Sequence, residues 1–203
     1  GNYNTAIGAF ALVTEDQGDS CTAVGGSALR YQNGGDAVLG NTGVGNIAGR
    51  YNVTGTNNTY VGYAAGAGVD GNSNSNNTAV GKDALLAITT GASNTGVGQT
   101  ALAAVLDGDY NVSLGVASGD TITTGNENTC IGTSADASAS NSENQTVVGY
   151  GTTGQQDNAV TLGNGSVTRV YMSSDADAVM YADGTINTSD ERFKKDIEDS
   201  DLG

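Results

Sequence analysis

Hydrophobic and polar positions along this chain follow a five-residue phrase, Asn-Thr-small-aliphatic-Gly. It reads NTAIG at 4–8, NTGVG at 41–45, NTAVG at 77–81 and NTGVG at 94–98, with variants such as CTAVG at 21–25, NTYVG at 58–62, NVSLG at 111–115, NTCIG at 128–132 and QTVVG at 145–149. The closing glycines follow one another at spacings of 17, 20, 17, 19, 17, 17, 17 and 17, and a looser copy ends at Gly163, 14 further on. The fourth position is aliphatic in every copy, from Ile7 through Val24, Val61 and Val97 to Val148. Three residues past each glycine the position is small, as at Ala28, Ala48, Ala84 and Ala101. Each period therefore reads as turn, short strand, glycine bend, second short strand, turn.

A period of 17 is too short for the helix pairs of known repeat arrays, which need roughly 33 residues or more. It fits one coil of a β-solenoid, in which no coil buries its apolar face alone and stability comes from nearest neighbours. Stacking would place the fourth-position aliphatics above one another at about 4.8 Å, as the core column, with the Asn side chains forming a hydrogen-bonded ladder at the turn. Ten coils make a rod on the order of 45 to 50 Å long. Strand alternation sends Thr and the aliphatic to one side, and Asn, the small residue and Gly to the other. Both sides carry a regular column, which favours a bundle of parallel solenoids over a lone one. Spacing alone does not give the number of chains.

Composition sharpens this picture. Leu, Ile, Val and Phe make up only about 18% of the 203 residues and the net charge is −15, values typical of disordered chains. Yet only 14% of residues are charged and there is no Pro. The surplus is Gly, Asn and Thr, which suits a chain that bends often and packs its backbone closely. No run approaches the ~18 to 20 apolar residues of a membrane helix, and no signal peptide is visible. The chain starts at Gly1 inside the pattern and reads as a piece of something longer. Without His there is no Ser-His-Asp triad and no imidazole metal site, so neither metal nor cofactor is expected. Seven basic residues against 22 acidic ones argue against nucleic acid as a partner.

The NTAIG and NTAVG phrases followed by xxAL resemble the β-roll heads of trimeric autotransporter adhesins and the similar trimeric shafts of phage tail fibres, over roughly residues 1–165. That resemblance implies a homotrimer exposed outside a cell or on a virion, with its turns presented as a binding surface. After Gly163 the repeat stops. VTRVYMSS (167–174) reads as a longer strand within a connector at 166–187, and Thr188 with Glu191 forms a capping box that starts a short helix. Residues 188–203 also resemble the start of the C-terminal intramolecular chaperone domain of phage tail spikes and endosialidases, through Ser189, Asp190, Arg192, Lys194 and Ile197. This resemblance implies that Ser189 is the nucleophile and Lys194 the base of a self-cleavage. Desolvation can lower a Lys pKa far enough for that role. With so short a stretch between Ser189 and Gly203, the chain as given is expected to be inert and no enzyme.

Other features have plainer readings. Cys21 and Cys130 stand six coils apart, roughly 29 Å, far beyond disulfide reach, and read as small buried residues. Asp107, Asp109 and Asn111 open like a calcium loop, but Val112 and Ser118 replace its Gly and Glu, so an acidic turn is expected. Tyr60 and Tyr63 lie in one coil beside the Gly- and Asn-rich turn at 66–77. They are the choice for contact with a glycan or receptor, because aromatic rings stack on sugars and amides hydrogen-bond to them.

The function expected is a trimeric fibre segment for attachment to a host or target cell. Alternatives are a bacterial surface adhesin and the stalk of a polysaccharide-degrading tail spike; the chaperone junction favours a phage owner. Ice binding by Thr ladders is set aside because only one Thr per coil recurs and it faces with the expected core aliphatic.

Overall fold

In the computed structural model, residues 1–15, 17–71 and 73–170 are described. Ten three-residue strands pair in parallel and in chain order: β1 (Thr5–Ile7), β2 (Thr22–Val24), β3 (Thr42–Val44), β4 (Thr59–Val61), β5 (Thr78–Val80), β6 (Thr95–Val97), β7 (Val112–Leu114), β8 (Thr129–Ile131), β9 (Thr146–Val148) and β10 (Val160–Leu162). The repeat thus forms an all-β parallel solenoid in which each phrase supplies one rung. Equivalent positions of adjoining rungs are mostly offset by 17 in sequence, as from Asn77 to Asn94. Register follows the phrase without slip, Thr opposite Thr and aliphatic opposite aliphatic, as in Thr59↔Thr78 and Val61↔Val80. The solenoid accounts for one unit, residues 1–168; the second, 169–203, lies almost wholly outside the described residues.

The glycine that ends each strand is required twice over. From Gly8 to Gly149 the φ at this position runs from 128° to 142°, a region closed to residues with a Cβ. A Cβ on Gly98 would also stand 2.3 Å from the carbonyl oxygen of Gly115 in the next coil. Beyond the glycine, the expected second strand does not form. Leu29, Leu85 and Leu102 adopt φ of 46°, 51° and 52°, left-handed values that turn the chain where a strand would keep it extended. This side is nonetheless bonded coil to coil, for example from Leu29 N–H to the Ala48 carbonyl at 2.9 Å and from Tyr31 N–H to that of Arg50 at 3.0 Å.

Alternation holds with the opposite sense to the one expected. The middle residue of the strand points inward, so Ala23, Tyr60, Ala79, Cys130 and Val147 are fully buried, while Thr and the aliphatic flank it on the outer surface. A coil this short encloses a narrow interior. Ala28, Ala48 and Ala84 with Leu29, Leu85 and Leu102 already fill it from the opposite side, which leaves room for a small residue from the strand. Coil four shows the exchange in reverse. Tyr60 replaces the small residue, and Gly49 and Gly66 stand where Leu stands in other coils. A Cβ on Gly66 would lie 2.2 Å from the Tyr60 ring and one on Gly49 2.6 Å from it.

Inside the strand's leading edge runs an amide ladder. Asn77 Oδ1 accepts from the backbone N–H of Asn94 at 2.8 Å and from its Nδ2 at 3.2 Å, and Asn94 Nδ2 also donates to the Gly108 carbonyl at 2.8 Å. The same set recurs from Asn94 to Asn111 and from Asn111 to Asn128, and all of these side chains are fully buried. Burying so many amides is tolerable because each donor and acceptor meets a partner.

Candidate functional site

The outward-facing strand positions build a stripe the length of the solenoid. One column holds Ile7, Val24, Val44, Val61, Val80, Val97, Leu114, Ile131, Val148 and Leu162; the other holds Thr in eight rungs and Val in two. Val61 and Val80 each keep 37% of their surface exposed, and Leu114 51%. No charged side chain interrupts the two columns. In a chain of net charge −15 that neutrality sets this face apart.

A second surface feature had no signal in the repeat itself. Phe10, Arg30, Tyr31, Arg50 and Tyr51 form a stack across the first three coils. The Arg30 guanidinium lies 4.8 Å from the Phe10 ring centre and 5.2 Å from that of Tyr31; that of Arg50 lies 5.7 Å from Tyr31 and 4.9 Å from Tyr51. The rings of Tyr31 and Tyr51 stack at 5.2 Å with 9° between their planes. Each Arg Nε is enclosed with no hydrogen-bond partner. Only the placement of Arg-Tyr twice at the same offset, five and six residues past Gly25 and Gly45, could have revealed the stack in the sequence.

The two tyrosines chosen from the sequence do not share a surface. Tyr60 is fully buried, and its hydroxyl donates to Asn74 Oδ1 inside the coil. Burial pushes its phenol pKa well above the usual value. Its ring therefore offers no face to an outside ligand. Tyr63, one residue past Gly62, is 52% exposed and lies beside Lys82 Nζ at 5.8 Å, which in turn pairs with Asp83. Ser189 and Lys194, with the helix start at 188 and the end of the connector at 171–187, lie outside the described residues. Residues 167–170 carry no strand.

Cys21 and Cys130 are free and buried. Burial raises both thiol pKa values, that of Cys130 to about 12, so neither offers a thiolate near neutral pH. Asp109 and Asn111 do not converge on a cation. Asp109 Oδ1 accepts from Ala92 N–H at 2.6 Å, and Asn111 belongs to the amide ladder. Among the described residues no group of three or more His, Cys, Asp or Glu side chains is arranged to hold a metal ion. The chain matches no family model, no curated protein and no solved structure.

Proposed function

We propose that this solenoid is a segment of a trimeric extracellular fibre used for attachment to a cell surface, associating through the Thr/aliphatic stripe. One observation carries the reading: an uncharged stripe of Thr and aliphatic side chains ten rungs long on a strongly acidic chain. Fully burying a Val or Leu contributes about 1.5–3 kcal/mol, so covering the third that remains exposed contributes about 0.5–1 kcal/mol per rung. Over the whole stripe that reaches several kcal/mol, comparable to an association cost of about 4–15 kcal/mol. A long run of rungs is therefore needed, which suits parallel copies in register. The number three and the extracellular setting come from the resemblance to adhesin heads and tail-fibre shafts, as does a parent protein that frees its C-terminal chaperone through Ser189 and Lys194.

The test is mass in solution. By sedimentation equilibrium the protein is expected at three times its 20.2 kDa chain mass. Val61→Asp with Val97→Asp, both outward-facing, is expected to give monomers with unchanged far-UV circular dichroism. A wild type that stays monomeric at micromolar concentration overturns the reading, as does a double variant of unchanged mass.

A second reading is favoured by the same face. The Thr column looks outward with the aliphatics, not into the core, so in a monomer it would present a regular grid of hydroxyls and methyls spaced by about 4.8 Å along the rod. Such a grid can order water and bind ice. Inhibition of ice recrystallisation by a monomeric protein, lost in the Val61→Asp, Val97→Asp variant, would decide for it.

A further inference from the structure

We propose that the Arg30/Arg50 stack binds an acidic polysaccharide, Arg50 holding the carboxylate of a sugar that packs on the open face of Tyr51 and Arg30 the carboxylate of a neighbouring sugar. The proposal rests on the attachment reading and gives its ligand a chemical class.

The first ground is unanswered charge. The chain has 22 acidic residues and seven basic ones, yet among the described residues neither guanidinium makes an ion pair or hydrogen bond. The carboxylate of Glu15, in the preceding coil, is already taken by the amides of Gln17, Gly18 and Gly34. Two like charges on successive coils repel, and ring faces offset this only in part. Carboxylates of neighbouring sugars would satisfy them in turn, and a guanidinium fork matches the planar geometry of each.

The second ground is a platform. Tyr31 covers one face of Tyr51. On the other side the next coil places Gly68 at the same position, its Cβ direction 4.0 Å from the Tyr51 Cβ, so this column puts no side chain over the ring. The C–H face of a pyranose is the natural partner for an aromatic surface of this kind.

The third ground is where the repeat departs from its usual length. The two longest coils, from Gly25 to Gly45 and from Gly62 to Gly81, take up their extra length after Gln32 and after Gly68, next to Tyr31 and to the position facing Tyr51. The acidic turn at 107–109 lies three coils beyond Arg50, roughly 14 Å along the rod, and the later ones lie farther. At physiological ionic strength, where the screening length is about 8 Å, they act weakly on an anion held here.

The experiment titrates the full chain with trigalacturonate, and with maltotriose as the neutral sugar of equal length, at about 0.15 M salt. Tyr31 and Tyr51 ring signals are followed by NMR and heats by calorimetry. Saturable millimolar or tighter binding of trigalacturonate alone is expected. It should weaken at least tenfold in Arg30→Gln with Arg50→Gln and in Tyr51→Leu, and stay unchanged in Lys82→Gln. Arg50→Lys, which keeps the charge and removes the fork, is expected to fall between, and covers the case in which the double variant does not fold. No saturable shift in the wild type, equal binding of maltotriose, or undiminished binding by the double variant or by Arg50→Lys overturns the proposal. Adherence of labelled protein to intact cells separates the two readings. Adherence that survives Arg30→Gln with Arg50→Gln sinks this site and leaves attachment standing, whereas a wild type that adheres to no surface sinks attachment itself.

Discussion

The exchange of bulk between Tyr60 and Gly66 can be tested as a double-mutant cycle. Tyr60→Ala removes a fully buried ring whose two neighbours across the coil, Gly49 and Gly66, have no side chains to close the gap. Large-to-small changes of buried aromatics cost about 3–5 kcal/mol, and the upper half is expected where nothing collapses inward. Gly66→Leu alone puts a Cβ 2.2 Å from the Tyr60 ring and must displace it, at about 3 kcal/mol or more. Together the two changes rebuild the pair that Ala79 and Leu85 form in the next coil. The φ of Gly66, 56°, is close to the 51° of Leu85, so leucine there carries a strain the fold already holds in other coils. A buried Leu returns about 1.5–3 kcal/mol, so the double variant should be more stable than Tyr60→Ala by about 1–2 kcal/mol. The coupling energy should then exceed about 3 kcal/mol. Because stability in a solenoid is local, the assay is amide hydrogen exchange in coils three to five, with urea denaturation beside it. A double variant less stable than Tyr60→Ala would refute the account of the interior.

Other perturbations probe other parts. Asn94→Ala leaves the buried N–H of Asn111 and the carbonyl of Gly108 without their side-chain partner, and should cost about 3–4 kcal/mol by urea denaturation; a loss below about 1 kcal/mol would mean the ladder contributes little. Asp136 has its carboxyl pKa raised, chiefly by burial, with Asp120 adding to the effect. The folded state therefore holds this proton more tightly than the unfolded one, and the stability it lends is lost as pH rises from the ordinary carboxylate value through the raised one. Asp136→Asn should melt higher than the wild type at pH 7 and show no such gain at pH 3; equal melting at both would remove the claim. Cys130, with its pKa near 12, should resist iodoacetamide at pH 8 until the solenoid unfolds, as mass spectrometry of timed samples would report.

The rungs were legible in the sequence because a solenoid repeats its backbone geometry, and repeated geometry needs the same residue at the same offset. Gly98 and its column, the Asn ladder and the register of Val61 on Val80 all follow from that. The direction of the strand was not legible, since alternation separates two faces without labelling them. What labels them is bulk arriving from across the coil, at Leu29 and Leu85, and that depends on a turn whose left-handed leucines no pattern signalled. Tyr60 was misplaced for the same reason: its aromatic character suggested a surface role, while Gly49 and Gly66, which make room for it, lie outside its own phrase, one before it and one after. The Arg-Tyr stack occupies two coils alone, so its trace in the sequence is one pair at a shared offset from Gly25 and Gly45 and no sustained period.

Short and long coils alike, from the one between Gly149 and Gly163 to the one between Gly25 and Gly45, meet their neighbours with the same strand register, as Val160↔Thr146 and Thr22↔Thr42 show. Length is thus absorbed at a corner while the ladder stays untouched. A solenoid built this way can acquire, lose or exchange a surface loop through a small insertion or deletion without refolding. Its surface chemistry is free to drift faster than its architecture.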